Sequence, residues 1–90
     1  LIPLQQSVSP FYLRLHLQDK PGVLAGITAA LGRRGISIAS IHQSDTPQAH
    51  GIPVVITTHP TSQGALARAL KGILALKTVS RRHTVLRMLA

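Results

Sequence analysis

The chain has 90 residues, 44% of them apolar, and its ten Lys and Arg face only two Asp, a formal net charge of +8. That length supports one small core, and an aromatic content of 2% (Phe11 and Tyr12) makes that core aliphatic. The absence of cysteine excludes a disulfide framework, a thiolate zinc site and a cysteine nucleophile, and is consistent with a reducing cytoplasm.

There is no signal-peptide pattern. The longest uncharged run, Thr46 to Ala67, is broken by Pro47, Pro53 and Pro60 and is too polar to span a bilayer, so a soluble, cytoplasmic protein is expected. Residue 1 is Leu and the only methionine is Met88, which suggests a piece of a longer protein. Residues 1–10, with two prolines and no sustained periodicity, read as a linker, leaving residues 11–90 as the domain.

From Phe11 to Gln18 the residues alternate, Leu13, Leu15 and Leu17 on one face and Tyr12, Arg14, His16 and Gln18 on the other, which predicts a strand with one buried face. The pattern stops at Asp19-Lys20-Pro21-Gly22. Val23, Leu24, Ile27 and Leu31 then recur at helical spacing, with Arg33-Arg34 closing the last turn and Gly35 as the expected left-handed cap. Pro21 has a φ suited to a first helical turn, and the N–H groups of Gly22, Val23 and Leu24 are expected to be free at the positive end of the helix. Gly26 is costly inside a helix, and close packing against the sheet is the expected reason.

Ile36 to Gln43 reads as a second strand in which Ile36 and Ile38 are in phase and Ile41 is not: either it bulges near Ser40, or Ile41 faces away from the helices. A polar loop, Ser44 to Gly51, leads to a β-branched third strand from Ile52 to His59, with Pro53 near its start or at an edge. Thr61 or Ser62 can cap a second helix whose buried stripe is Leu66, Leu70, Ile73 and Leu74. Thr78 to Leu89 supplies a last strand, interrupted by Arg81-Arg82-His83.

The order strand, helix, strand, strand, helix, strand predicts an α+β, ferredoxin-like βαββαβ sandwich, a four-stranded antiparallel sheet with both helices on one face. The other face is expected to lack cover and to carry Tyr12, Arg14, His16, Ser37, Ala39, Val55 and Thr57, a mixed surface suited to a second copy or a neighbouring domain.

The chemistry-bearing residues narrow the function. Gly35-Ile36-Ser37-Ile38-Ala39 runs from a helix into a strand, the reverse of a nucleophile elbow. Histidines 16, 42, 50, 59 and 83 are scattered, without metal-ligand spacing, and Asp19 and Asp45 are the whole acidic complement. Neither a catalytic residue nor a metal site is assigned. RNA recognition motifs share this element order, but Ile52-Pro53-Val54-Val55-Ile56-Thr57 offers no aromatic for base stacking, which leaves the basic excess as a nonspecific phosphate-binding alternative.

The Asp19 turn fits one ligand class. A free amino acid presents a carboxylate, to which exposed N–H groups donate, and an ammonium, which donates to Asp19; its side chain is expected to be discriminated by Ile41, His42 and Gln43 of the neighbouring second strand or by a facing subunit. The competing reading is that Asp19 caps the first helix and Gly22 permits the turn.

Asp19-Lys20-Pro21-Gly22-Val23-Leu24-Ala25, followed by Ile27, Leu31-Gly32, Gly35-Ile36-Ser37-Ile38-Ala39-Ser40-Ile41 and Gln43, resembles the ACT domain, a small-molecule regulatory module. Tyr12-Leu13-Arg14-Leu15 and Val54-Val55-Ile56-Thr57-Thr58-His59 make it most similar to the C-terminal ACT domain of homoserine dehydrogenases. The resemblance implies an effector site at Asp19, Gly22, Val23, Leu24, Ile41 and Gln43, with threonine as the effector of feedback inhibition. It further implies pairing into a homo-dimer or higher oligomer, and a separate N-terminal catalytic domain that uses NAD(P), with no cofactor in this chain. An ACT domain of another amino-acid biosynthetic enzyme is the alternative. The sequence departs from the resemblance at Arg81-Arg82-His83 and in its basic charge.

Overall fold

The computed structural model describes residues 7–89. Within them the elements are β1 (Val8–Ser9), β2 (Phe11–Leu17), α1 (Val23–Arg33), β3 (Ile38–Gln43), β4 (Ile52–Thr58), β5 (Thr61–Ser62), α2 (Gln63–Leu74) and β6 (Thr84–Arg87). The main sheet has the order β3-β4-β2-β6 with every neighbouring pair antiparallel, the split βαβ arrangement that the element order predicts. A separate two-stranded ribbon joins β1 to β5, so Val8 and Ser9 of the expected linker are paired with Ser62 and Thr61. The first six residues of that linker lie outside the described residues.

One face of the sheet meets the helices. Phe11, Leu13, Leu15 and Leu17 of β2 and Val54 and Ile56 of β4 are buried against Val23, Ile27, Ala30 and Leu31 of α1 and Leu66, Ala69 and Ile73 of α2. This is the aliphatic core that the composition demands, with Phe11 its one aromatic. At its margin the buried Thr58 hydroxyl accepts from the Phe11 N–H at 3.0 Å, leaving neither group unpaired.

The helix ends follow from their residues. After α1, Gly35 takes φ 72°, its N–H donates to the Gly32 carbonyl at 2.9 Å, and the Ile36 N–H donates to the Leu31 carbonyl at 3.1 Å. These are the two bonds of a Schellman motif, with buried Ile36 and Leu31 as its apolar pair. The closure draws Ile36 out of the sheet, so β3 starts at Ile38, two residues later than its apolar pattern suggests. The start of α2 is capped by Ser62, whose hydroxyl accepts from the Ala65 N–H at 3.1 Å. Ser62→Ala is therefore expected to lower stability by about 1 kcal/mol, measured as a shift in the urea midpoint at unchanged slope.

Gly26 corrects an expectation. A Cβ there would meet not the sheet but the tip of Leu76, at an ordinary 3.8 Å. Sterics do not require this glycine, and Gly26→Ala is expected to raise stability by roughly 0.5–1 kcal/mol in the same measurement.

The strand irregularity is a bulge. Ile38 pairs with Thr58 but Ser40 pairs with Thr57, so Ala39 is the extra residue and the phase shifts by one. Because directly paired residues share a sheet face, Ile41 opposite Ile56 and Gln43 opposite Val54 stand on the helix side. Ser40 and His42 pass to the other face, where the Ser40 and Thr57 hydroxyls bond to each other.

Between Leu17, bridged to Val79, and Arg14, paired with Thr84, two residues of β2 face four residues, 80–83, on the other side. The basic cluster is this loop-out, and it explains why the last strand is shortened to Thr84–Arg87.

Candidate functional site: the turn after the first core strand

The turn is built by its proline and glycine. Gly22 has φ 83° and ψ −7°, Pro21 precedes it, and the Val23 N–H reaches back to the Lys20 carbonyl at 3.5 Å. Lys20 to Val23 is thus a type II turn, in which proline presets the second position and the third needs positive φ. Pro21 was expected inside the first helical turn; it lies one residue before the cap Gly22, and the helix begins at Val23.

No side chain caps α1, so the reading of Asp19 as a helix cap does not hold, and its exposed carboxylate is not spent on the helix. The Gly26 N–H donates to the Gly22 carbonyl at 3.0 Å. Among the described residues the N–H groups of Gly22, Leu24 and Ala25 have no backbone partner. The expected donor set is corrected accordingly: the Val23 N–H is directed at Lys20, and that of Ala25 takes its place. The Pro-Gly pair was the signal for this, since a type II turn commits the N–H of its fourth residue. The first turn of α1 also contains no acidic residue, which leaves the dipole's positive end uncompensated.

β2 and β3 are both antiparallel to β4 and hence parallel to each other, so their C-terminal ends share one end of the sheet. That end carries the Asp19 turn; on the edge strand β3, Gln43 is the last residue and Ile41 lies two residues earlier, both on the helix side, with β4 between them and β2, so one copy does not bring them against the turn. Val23 is buried with its N–H turned to Lys20, and Leu24 is half-buried against the core and can offer a ligand only its main-chain N–H, whereas Ile41, 41% exposed, and exposed Gln43 keep their side chains available. His42 alternates to the opposite face and leaves the group.

A surface depression of 420 Å³ lies elsewhere, between α2 and the basic loop, lined by Lys71, Leu74, Ala75, Arg81 and His83. It offers two cations and no carboxylate, so it has no acceptor for an ammonium group and does not suit a free amino acid. Among the described residues no three His, Asp or Glu come together as a metal site, and no helix is long and apolar enough to cross a membrane.

On the face opposite the helices, Tyr12, Arg14, His16, Val55 and Thr57 stand as expected, but cover is not absent. His16 is only 8% exposed, flanked by Pro53 across the strand pair and by the His50 ring in edge-to-face contact at 6.0 Å. Burial, followed by the cations Arg14, His50 and Arg82, holds its pKa below the ordinary value of about 6.5. The unfolded chain therefore takes up this proton first as the pH falls. Stability should decline from about pH 6.5 down through the lowered folded value, and His16→Leu should flatten that decline in denaturant midpoints taken at successive pH values.

Residues 11–75 match the family described as ACT domain. Over 89 residues the chain is 38% identical to a homoserine dehydrogenase of Methylobacillus glycogenes, covering 98% of this chain and 22% of that protein. It is 35% identical over 81 residues to the homoserine dehydrogenase of Pseudomonas aeruginosa, covering 89% of this chain and 19% of that one. The crystal structure of a homoserine dehydrogenase from Thiobacillus denitrificans superposes with a TM-score of 0.83 at 30% identity, over 96% of this chain and 19% of that chain. The chain thus spans about a fifth of the length of these homoserine dehydrogenases. With its split βαβ sheet, its Pro-Gly turn and a match over most of its length, the chain belongs to the ACT domain family.

Proposed function

We propose that this chain is an amino-acid-sensing regulatory domain, with threonine as effector, attached to an NAD(P)-dependent homoserine dehydrogenase in the cytoplasm. One observation carries the reading: an uncommitted carboxylate, Asp19, and free main-chain N–H groups at the start of α1 share one turn, at the end of the sheet where β3 finishes with Gln43. The N–H groups donate to the effector's carboxylate, Asp19 accepts from its ammonium, and Ile41 and Gln43 read a short side chain carrying both a methyl and a hydroxyl. Likeness to homoserine dehydrogenases over most of the chain supports threonine over other amino acids.

Magnitudes suggest that one copy holds only half of the site. Two charge-assisted bonds at about 1.5–3 kcal/mol each give at best roughly 6 kcal/mol, a Kd no tighter than roughly 40 µM before ordering costs. β3, which carries Ile41 and Gln43, is an edge strand, and a second copy docking along it would complete the site. The opposite edge, β6, carries Arg87 and follows Arg81 and Arg82, so like charges disfavour pairing between copies through it. An effector bound between two copies shifts the pairing equilibrium by its preference for the paired state, and through it the activity of an attached enzyme.

Amide NMR spectra recorded during titration with threonine, methionine, lysine and phenylalanine test this. Threonine should move the Gly22, Leu24, Ala25, Ile41 and Gln43 signals saturably and most strongly. A stronger response at the same residues to another amino acid would assign the domain to a different biosynthetic enzyme. No response there would refute the effector site.

A further inference from the structure

We propose that Arg14, His16, His50 and Arg82 form a second binding site, for a small oxyanion, on the sheet face opposite the helices. It is separate from the amino-acid site and does not depend on it. Three segments converge on His16. Its own strand β2 contributes Arg14, two residues earlier on the same face. The loop before β4 contributes His50, whose ring meets that of His16 edge-on at 6.0 Å. The loop-out before β6 is fastened to the same spot, since the Ser80 N–H donates to the His16 carbonyl at 2.9 Å and the Ser80 hydroxyl accepts from the Arg82 N–H at 3.1 Å. The paired strand β4 adds the uncharged Pro53.

Every charged or titratable group facing His16 is therefore cationic when charged. The chain's two Asp side chains belong to the turn after β2 and the loop after β3, and neither is among the groups that act on this histidine. Convergence of like charge around a buried group is unfavourable unless an anion completes it. The second observation is independent of charge. His16 is more than nine-tenths buried, and its Nδ1 has no hydrogen-bond partner among the described residues. Buried ring nitrogens are ordinarily paired, and this one, on the residue where the three segments meet, is not. An oxyanion between Arg14 and Arg82 would compensate both guanidinium groups, which match planar or tetrahedral oxygens by paired donors, and would favour the doubly protonated imidazole with two N–H donors. A phosphate group and a carboxylate group share this chemistry.

The basic loop-out then has a purpose. Four residues across from two carry Arg82 past His16, held there through Ser80, while Arg81 and His83 line the depression beside α2.

The test is the NMR titration of the His16 imidazole in the full chain, with inorganic phosphate, acetate or sodium chloride added at matched ionic strength. The expected result is a rise in the His16 midpoint of about half a pH unit or more with an oxyanion and less than half that rise with chloride. A larger rise with phosphate assigns a phosphate-bearing ligand, and a larger rise with acetate a carboxylate-bearing one. Arg14→Gln and Arg82→Gln, both at exposed side chains, should each weaken the response at least fivefold in half-saturating concentration while the amide spectrum stays folded. Equal effects of chloride and both oxyanions, or an undiminished response in both variants, would overturn the proposal.

Discussion

Gly51→Ala is expected to lower stability by about 3 kcal/mol, and with it the melting temperature by roughly 12–24 °C. The reason is local and steric. Gly51 closes the tight turn in which the N–H groups of Gln48 and Gly51 donate to each other's carbonyls at 2.9 and 3.0 Å, and it has φ 114°, outside the range of L-residues. A Cβ added there would sit 2.4 Å from the Leu17 carbonyl oxygen and 3.0 Å from its carbon. These are backbone atoms of the central strand that leads into the Asp19 turn, so no side chain can swing away. The contrast with Gly26, whose methyl group has room and whose replacement is expected to stabilise, makes calorimetric melting of the pair of variants a direct check. A Gly51→Ala chain that melts within a few degrees of the parent would show that the loop does not hold this approach to Leu17 in solution.

Asp19→Ala is expected to do the opposite: to leave the melting temperature within a few degrees while weakening amino-acid binding roughly 10- to 100-fold. The side chain is exposed and caps nothing, so its removal costs the fold little. For a ligand ammonium, losing the one carboxylate on that turn removes a charge-assisted partner worth about 1.5–3 kcal/mol. Asp19→Asn, which keeps an acceptor oxygen but loses the charge, should fall between the two. A loss of stability in Asp19→Ala as large as its loss of binding would return Asp19 to a purely structural role.

The sheet and helices were legible because their signals are periodic. Leu13, Leu15 and Leu17 alternate, Val23, Ile27 and Leu31 recur at helical spacing, and Gly35 and Ser62 are residue types whose backbone or hydroxyl chemistry marks a helix end. The position of the candidate turn was legible for the same reason, since Pro21-Gly22 between a strand and a helix marks a turn at one end of the sheet. What pattern could not decide was geometry that depends on pairing. Whether Ile41 joins the helix side required the bulge at Ala39, because alternation alone supports either face. Which N–H groups are free depended on the type II turn, in which Val23 bonds back to Lys20. The burial of His16 was illegible for a further reason. Alternation places it on the open face, and only the approach of His50 and of the loop-out at residues 80–83, both distant in sequence, covers it. Gly51 carried a signal, an isolated glycine ahead of a strand, but the close approach of Leu17 that requires it is a tertiary fact.

Calorimetric titration of the chain with threonine, alongside a panel of other amino acids, tests the central claim most directly. The account predicts saturable heat with threonine, a Kd in the micromolar to millimolar range that tightens as protein concentration favours paired copies, and its loss in Asp19→Ala. Absence of heat with every amino acid at millimolar concentration, in a chain that melts cooperatively, would contradict it.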